Sequence, residues 1–235
     1  MALGIFGQLD WLTKKFKALC CLIEKNAAQQ QAYQEANPCY LEVITDGREG
    51  GALELSDINT RWISGSGEPF TNLIKIITGN CNIYRLYGGK NITTSYEPFN
   101  KYVISINDGC GAITSVGPNT FEIAPLTYAN LPNVQTLGER AFSGVSLTSL
   151  SLPKVTTLIG IEVFRDCLYI VTLNLPLCTN LGPNGSCVND YQFSGLPVIT
   201  TLNIASINAT SCAGGPDANI LALMGSNPGI TINYV

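Results

Sequence analysis

The sequence contains no histidine. This removes Ser-His-Asp and Cys-His nucleophilic catalysis, and every zinc site that needs an imidazole. No phosphate-binding glycine loop or dinucleotide fingerprint is present; GSGEPF at 65–70 has glycines without the required spacing. Carboxylate chemistry remains. A glycosidase needs only two acids, and Glu49, Glu54, Asp57, Glu68, Glu122 and Glu139 are available. Nothing in their spacing selects a pair, and solvated surface acids are the plainer reading of each. NIT at 91–93 and NAT at 208–210 match the N-glycosylation sequon. No motif calls for a metal ion or an organic cofactor, so the expectation is a non-enzymatic chain with no cofactor.

Composition sets what must surround these residues. Of 235 residues, 46% are hydrophobic and only 13% charged, with a formal net charge of −4. A large core is therefore available, and the surface must be built from Ser, Thr, Asn and Gly. No basic run offers a phosphate contact, which argues against nucleic acid as a partner. Nine cysteines show neither a CxxC pair nor a repeated spacing. Buried thiols of a chain made in a reducing compartment are expected, with one disulfide among Cys167, Cys178, Cys187 and Cys212 left open. No signal peptide is recognised, and no window reaches the roughly 18–20 apolar residues of a membrane span.

The N-terminal stretch is periodic. Ile5, Leu9, Leu12, Phe16, Leu19 and Ile23 are separated by 4, 3, 4, 3 and 4 residues, and the register continues through Asn26 and Gln30. Period 3.5 is the pattern of helices that wind around one another. It predicts a helical stem over residues 1–37 that joins three or more chains, with Ile5, Leu9, Leu12, Phe16, Leu19, Ile23, Asn26 and Gln30 as its seam. The competing reading is an amphipathic helix packed on the chain's own domain. Pro38 marks the boundary, because the residue before proline disfavours the helical region.

From 38 to 117 the period shortens to 2. CYLEVITDG, ALELSD, NLIKIITG, NIYRLYGG and YVISINDG are short β-branched and aromatic runs, most of them closed by turn residues. They predict a β-rich region.

Residues 118–235 repeat. Leu150/Leu152, Leu173/Leu175 and Leu202/Ile204 form L-x-L units at separations of 23 and 29, each preceded by Phe142, Phe164 or Phe193. These nine residues are the expected core of a β-solenoid, with leucines pointing inwards, Thr, Ser and Asn outwards, and a C-terminal cap formed by ANILALM and ITINY. GERAFSGVSLTSLSLPKVTTL and EVFRDCLYIVTLNLPLCTNL resemble the BspA-like, Treponema-type leucine-rich repeats over roughly residues 120–210. That resemblance implies a curved solenoid used in adhesion and recognition.

The fold expected is thus mainly β with an N-terminal α-helix: a coiled-coil-like stem, a β-rich region and a short leucine-rich-repeat solenoid. The arrangement is similar to small fibre, spike or capsid-decoration proteins of bacteriophage virions. It implies a homo-oligomer, with a trimer favoured, that is made in the host cytoplasm. Its helix would be anchored to capsid or tail proteins, and its solenoid would face a host receptor or glycan. The alternative is a bacterial leucine-rich-repeat adhesin or interaction module at the cell surface. A carbohydrate-active enzyme with paired carboxylates is the third reading.

Overall fold

The computed structural model describes residues 13–15, 17–18, 40–48, 53–62, 68–77, 81–89, 92 and 101–235. Its first part is built on β1 (Leu41–Thr45), α1 (Leu55–Trp62), β2 (Asn72–Ile77), β3 (Asn82–Tyr87) and β4 (Val103–Asp108). β2, β3, β1 and β4 are adjacent and antiparallel, and β6 (Tyr128–Asn130) adds to β4 in parallel. One face of this sheet carries Leu41, Val43, Tyr84, Leu86 and Ile106 into a core that runs unbroken to Leu223. The other face carries Ile44, Cys81, Ile83 and Ile104 into a second, smaller cluster. Both faces of β1 are therefore covered, which is why its sequence reads as a nearly continuous apolar run. The exception, Glu42, is buried against Arg85 of β3 at 3.3 Å.

One expected strand is a helix. ALELSD at 52–57 leads into α1 because Asp57 reaches back to accept a hydrogen bond from the Glu54 backbone N–H at 2.9 Å. That is half of a capping box, and it places Leu55 and Ile58 one helical turn apart on the inner face.

The expectation of a long helical, coiled-coil-like stem is overturned. The described residues are mostly strands and sheets, and their helices are short: α1, the 3-10 turn Ser206–Ala209, α2 (Ala218–Ser226), and helical residues at 13–15 and 17–18. Ile5, Leu9, Leu12, Phe16, Leu19, Ile23, Asn26 and Gln30 lie outside the described residues. Beside them, Ala18 packs against the cluster of Ile44, Cys81, Ile83 and Ile104. The Lys15 ammonium donates to the Thr127 carbonyl at 3.5 Å, and burial lowers its pKa. Ala18 occupies an outer position of the heptad, so the surface that meets this stretch is the chain's own sheet. The physical reason is that a 3.5-residue and a 3.6-residue stripe diverge by only about 20° per heptad. Over so few turns the period cannot say which partner covers the stripe.

The second part is a stack of turns. β5 (Ser115–Val116), β7 (Thr136–Leu137) and β9 (Thr157–Leu158) form a three-stranded parallel sheet. β8 (Ser149–Ser151), β10 (Thr172–Leu175), β11 (Thr201–Ile204) and β12 (Thr231–Tyr234) form a four-stranded one. Leu150, Leu173, Leu202 and Ile232 share one rung of that sheet.

At the corner between the two sheets the phenylalanines stack. Ring centroids are 5.4 Å apart for Phe121–Phe142, and 6.1 Å for both Phe142–Phe164 and Phe164–Phe193. The backbone at this corner repeats as well. The residues two before each phenylalanine (Asn119, Arg140, Glu162, Tyr191) and two after it (Ile123, Gly144, Asp166, Gly195) all have positive φ, between 50° and 71°. This left-handed pair turns successive N–H groups along the stack axis. Arg140, Phe142 and Gly144 donate to the carbonyls of Ile161, Val163 and Arg165 in the next turn at 3.1, 3.0 and 2.8 Å. Side chains in this region pay about 1–2 kcal/mol against the right-handed form, and the inter-turn bonds offset it.

The last turn has no successor at this corner: its Tyr191 N–H donates instead to Asn189 Oδ1 at 2.9 Å, and the adjacent backbone is held by Asn219. Its buried Oδ1 accepts from the N–H groups of Asp190 (2.8 Å) and Gln192 (3.4 Å), and its Nδ2 donates to the Leu181 carbonyl at 3.1 Å. Asp217 caps α2 by accepting from the Asn219 N–H at 2.8 Å. Cys187 and Cys212 form a disulfide that ties the inserted loop before Phe193 to the segment leading into α2. Cys110 is disulfide-bonded too. The expectation of scattered thiols is corrected here: Cys167 and Cys178 are buried thiols, whereas Cys187 and Cys212 are joined. The sequence separates these two by 25 residues with no repeat relation, so only the fold brings them together.

Two consequences are measurable. Phe164→Ala removes a ring stacked on both sides, and denaturant melts should show a loss of about 3–5 kcal/mol. The double variant Cys187→Ser/Cys212→Ser should lose about 2–4 kcal/mol by the same assay, and reductant should lower the melt of the parent chain by more than that of the variant, which keeps the Cys110 bond.

Candidate recognition surface

The stack presents two chemically distinct exteriors. The first lies outside the phenylalanine corner and holds charge. Glu162, nearly buried, accepts from Arg140 Nε and Arg165 Nη1 at 2.5 Å each. Arg165 Nε also contacts Asp166 at 3.2 Å, and Arg140 Nη1 contacts Glu139 at 3.7 Å. Burial alone would push the Glu162 pKa up, but the hydrogen bonds from the two guanidiniums outweigh it and hold the carboxyl below its ordinary value.

The second exterior is the open face of the β8–β10–β11–β12 sheet. Because side chains alternate along a strand, burying Leu150, Leu152, Leu173, Leu175, Leu202 and Ile204 turns their neighbours outwards. The ladder register sorts these neighbours into two ranks. One is Ser149, Thr172, Thr201 and Thr231; the other is Ser151, Asn174, Asn203 and Asn233. Every member is uncharged. Within the second rank, Asn174 Nδ2 donates to Ser151 Oγ at 2.9 Å and Asn233 Nδ2 donates to Asn203 Oδ1 at 2.7 Å.

The strand one turn before β8 is β6, which pairs with β4 and belongs to the other sheet. Ala129 follows Phe121 by eight residues, as Leu150 follows Phe142, and Ala129 packs inwards on the core. Tyr128 and Asn130 flank it on β6, and Asn130 Nδ2 donates to Asn107 Oδ1 of β4 at 2.8 Å. Beside Tyr128, half exposed, lies a cleft of about 210 Å³ lined by Ala18, Ile44, Ile104, Ser105, Asn107 and Tyr128, with Glu42 also facing it.

All nine solenoid positions picked out by the repeat (Phe142, Leu150, Leu152, Phe164, Leu173, Leu175, Phe193, Leu202 and Ile204) are buried. They form the support of the surface, and the ranks above them are its chemistry. The sequence signal for those ranks was the alternation in SLS, TLN, TLN and TIN, which becomes a pattern of rows only once the register is known.

Of the candidate acids, Glu54 pairs with Lys75, Asp57 serves α1, and Glu139 meets Arg140, while Glu49 lies outside the described residues. Among the described residues no group of three or more His, Cys, Asp or Glu side chains is gathered as metal ligands. The NAT sequon is structural: Asn208 is fully buried and its Nδ2 donates to the carbonyls of Cys178 (2.6 Å) and Ala205 (3.1 Å). Burial pushes the Cys167 and Cys178 thiols up to about 12, so they are poor nucleophiles. Among the described residues no helix is long and apolar enough to cross a membrane.

Residues 114–208 match the family described as the BspA type leucine rich repeat region, with six copies. This stretch contains the phenylalanine stack, β7 to β11 and most of both exteriors. No curated protein and no solved structure is significantly similar to the chain.

Glu162 gives this surface a pH signature. Its depressed pKa means that its stabilising contribution is complete above the unfolded-state value and is lost as pH falls through the folded-state value. Glu162→Gln should therefore be less stable than the parent chain in urea melts at pH 7, and the difference should shrink towards pH 3.

Proposed function

We propose that the chain is a non-enzymatic adhesion or interaction module whose docking surface is the uncharged face of the β8–β10–β11–β12 sheet. The observation that carries this reading is the BspA-type repeat region itself, folded as a parallel stack whose outward rows are exposed and uniform in chemistry. Repeat stacks build extended surfaces of this kind and use them for binding. The cystine Cys187–Cys212 supports a site of action in an oxidising environment, such as a cell surface. The virion-fibre reading depended on a helical stem, and the described residues supply none, so the cell-surface module is the better supported of the two.

Beads coated with the full chain test the proposal on a panel of cells and extracellular matrices. Adhesion should be saturable and should be competed away by the soluble chain. Retention no greater than that of albumin-coated beads across the whole panel would overturn it.

A further inference from the structure

We infer that the partner of this face is a neutral glycan, laid across the strands along the two ranks, with the aromatic cleft at Tyr128 of β6 as a second contact for the same ligand class. The inference rests on the adhesion reading above and specifies its ligand class.

Three observations carry it. The first is segregation of charge. Glu139, Arg140, Glu162, Arg165 and Asp166 all lie at the phenylalanine corner, whereas both ranks consist of hydroxyl and carboxamide groups throughout. A charged ligand would find no counter-ion on this face. A protein ligand would want apolar or aromatic anchors at the centre of its footprint, and the centre here is Thr172, Thr201, Asn174 and Asn203. A sugar hydroxyl both donates and accepts, as do the Ser and Thr hydroxyls and, with separate atoms, the Asn carboxamides.

The second observation is preorganisation. The side chains of Asn174 with Ser151 and of Asn233 with Asn203 are already fixed along the rank. Less side-chain freedom is therefore lost when a ligand binds. Neighbouring members of a rank are about 4.8 Å apart and the two ranks about 6.6 Å apart, as strand geometry requires. Such a grid meets an extended polymer at several sugars, each contact weak and their sum useful.

The third is the position of Tyr128. Its ring is half exposed on β6, and it stands at the cleft whose wall combines Ile44 and Ile104 with Ser105 and Asn107. An aromatic ring beside apolar and hydrogen-bonding groups suits a pyranose, which has an apolar C–H face and a polar rim. The Glu42 carboxylate there is compensated by Arg85, while the Lys15 ammonium bonds the carbonyl of Thr127, which also lines the cleft.

The test uses the full chain with immobilised β-glucan, mannan, xylan and dextran, with heparin as the anionic polysaccharide and fibronectin as the protein. At least one neutral polysaccharide should bind and heparin should not. Thr201→Glu/Asn203→Asp should weaken that binding by about tenfold or more, Tyr128→Ala should weaken it severalfold, and Arg165→Ala at the charged corner should leave it unchanged. Asn174→Ala, a milder change, gives a second reading should the charged variant fold poorly; a drop in affinity with an unshifted melt is the expected result. Binding to no neutral polysaccharide, or binding indifferent to all three face variants, overturns the inference. If the coated beads adhere to cells through this face while every neutral glycan fails, the glycan assignment falls and the adhesion reading stands. If the beads also fail, both fall.

Discussion

The structure depends on one constraint: each turn of the stack is complete only when its backbone groups bond to the turn beside it. At the phenylalanine corner, three N–H groups per turn point along the axis and find carbonyls one turn away. Left unpaired in a buried corner, each would carry a desolvation penalty of about 1–3 kcal/mol. The left-handed residues flanking each phenylalanine exist to aim those groups, and the phenylalanines fill the interior that this aiming leaves. The leucine rungs on the sheet side follow the same step, because strands in register must stack at the same spacing as the corner.

A stack so built has two ends, and each needs a different closure. At the C-terminal side, Asn219 fastens the last turn to α2 with a single carboxamide that both accepts and donates, and the Cys187–Cys212 bond ties down the inserted loop before it. At the other side, β6 belongs to the antiparallel sheet by pairing with β4, while its inward Ala129 belongs to the repeat. One core therefore runs through both architectures.

Much of this was legible in the sequence because the repeat imposes the same side chain at the same structural place. Phe142, Phe164 and Phe193, and the L-x-L pairs after them, announced their burial through spacing alone. The C-terminal cap was legible as an element in ANILALM, but the contacts that close it were not, since each occurs once. Asn219 looks like an ordinary helix residue, and the Cys187–Cys212 pairing has no periodic relation to anything else. ALELSD reads as a strand by alternation, and a single backbone-to-carboxylate bond at Asp57 decides for the helix. The N-terminal stripe is a different case. Its apolar spacing reports that a stripe needs cover and not what covers it; its seam residues lie outside the described residues, and Ala18 and Lys15, both off the seam, meet the chain's own sheet and the Thr127 carbonyl beside it.

The separation of charge from the sheet face follows from the same geometry. At the corner, the positive-φ positions place the Arg140 and Glu162 side chains outwards on adjacent turns, where opposite charges one step apart attract and Glu162 can sit between two guanidiniums. On the sheet face, a rank repeats one residue type at every step, so a charged residue type there would face its own copy a few ångströms away and like charges directly opposite are destabilising. Asn and Thr avoid that penalty, and Asn gains from it, since one carboxamide donates to the next. The low charge of the whole chain and the neutrality of its open face thus have a common source in stacking identical turns in register. A ligand for that face must answer the same repeat with uncharged hydrogen-bonding groups of its own.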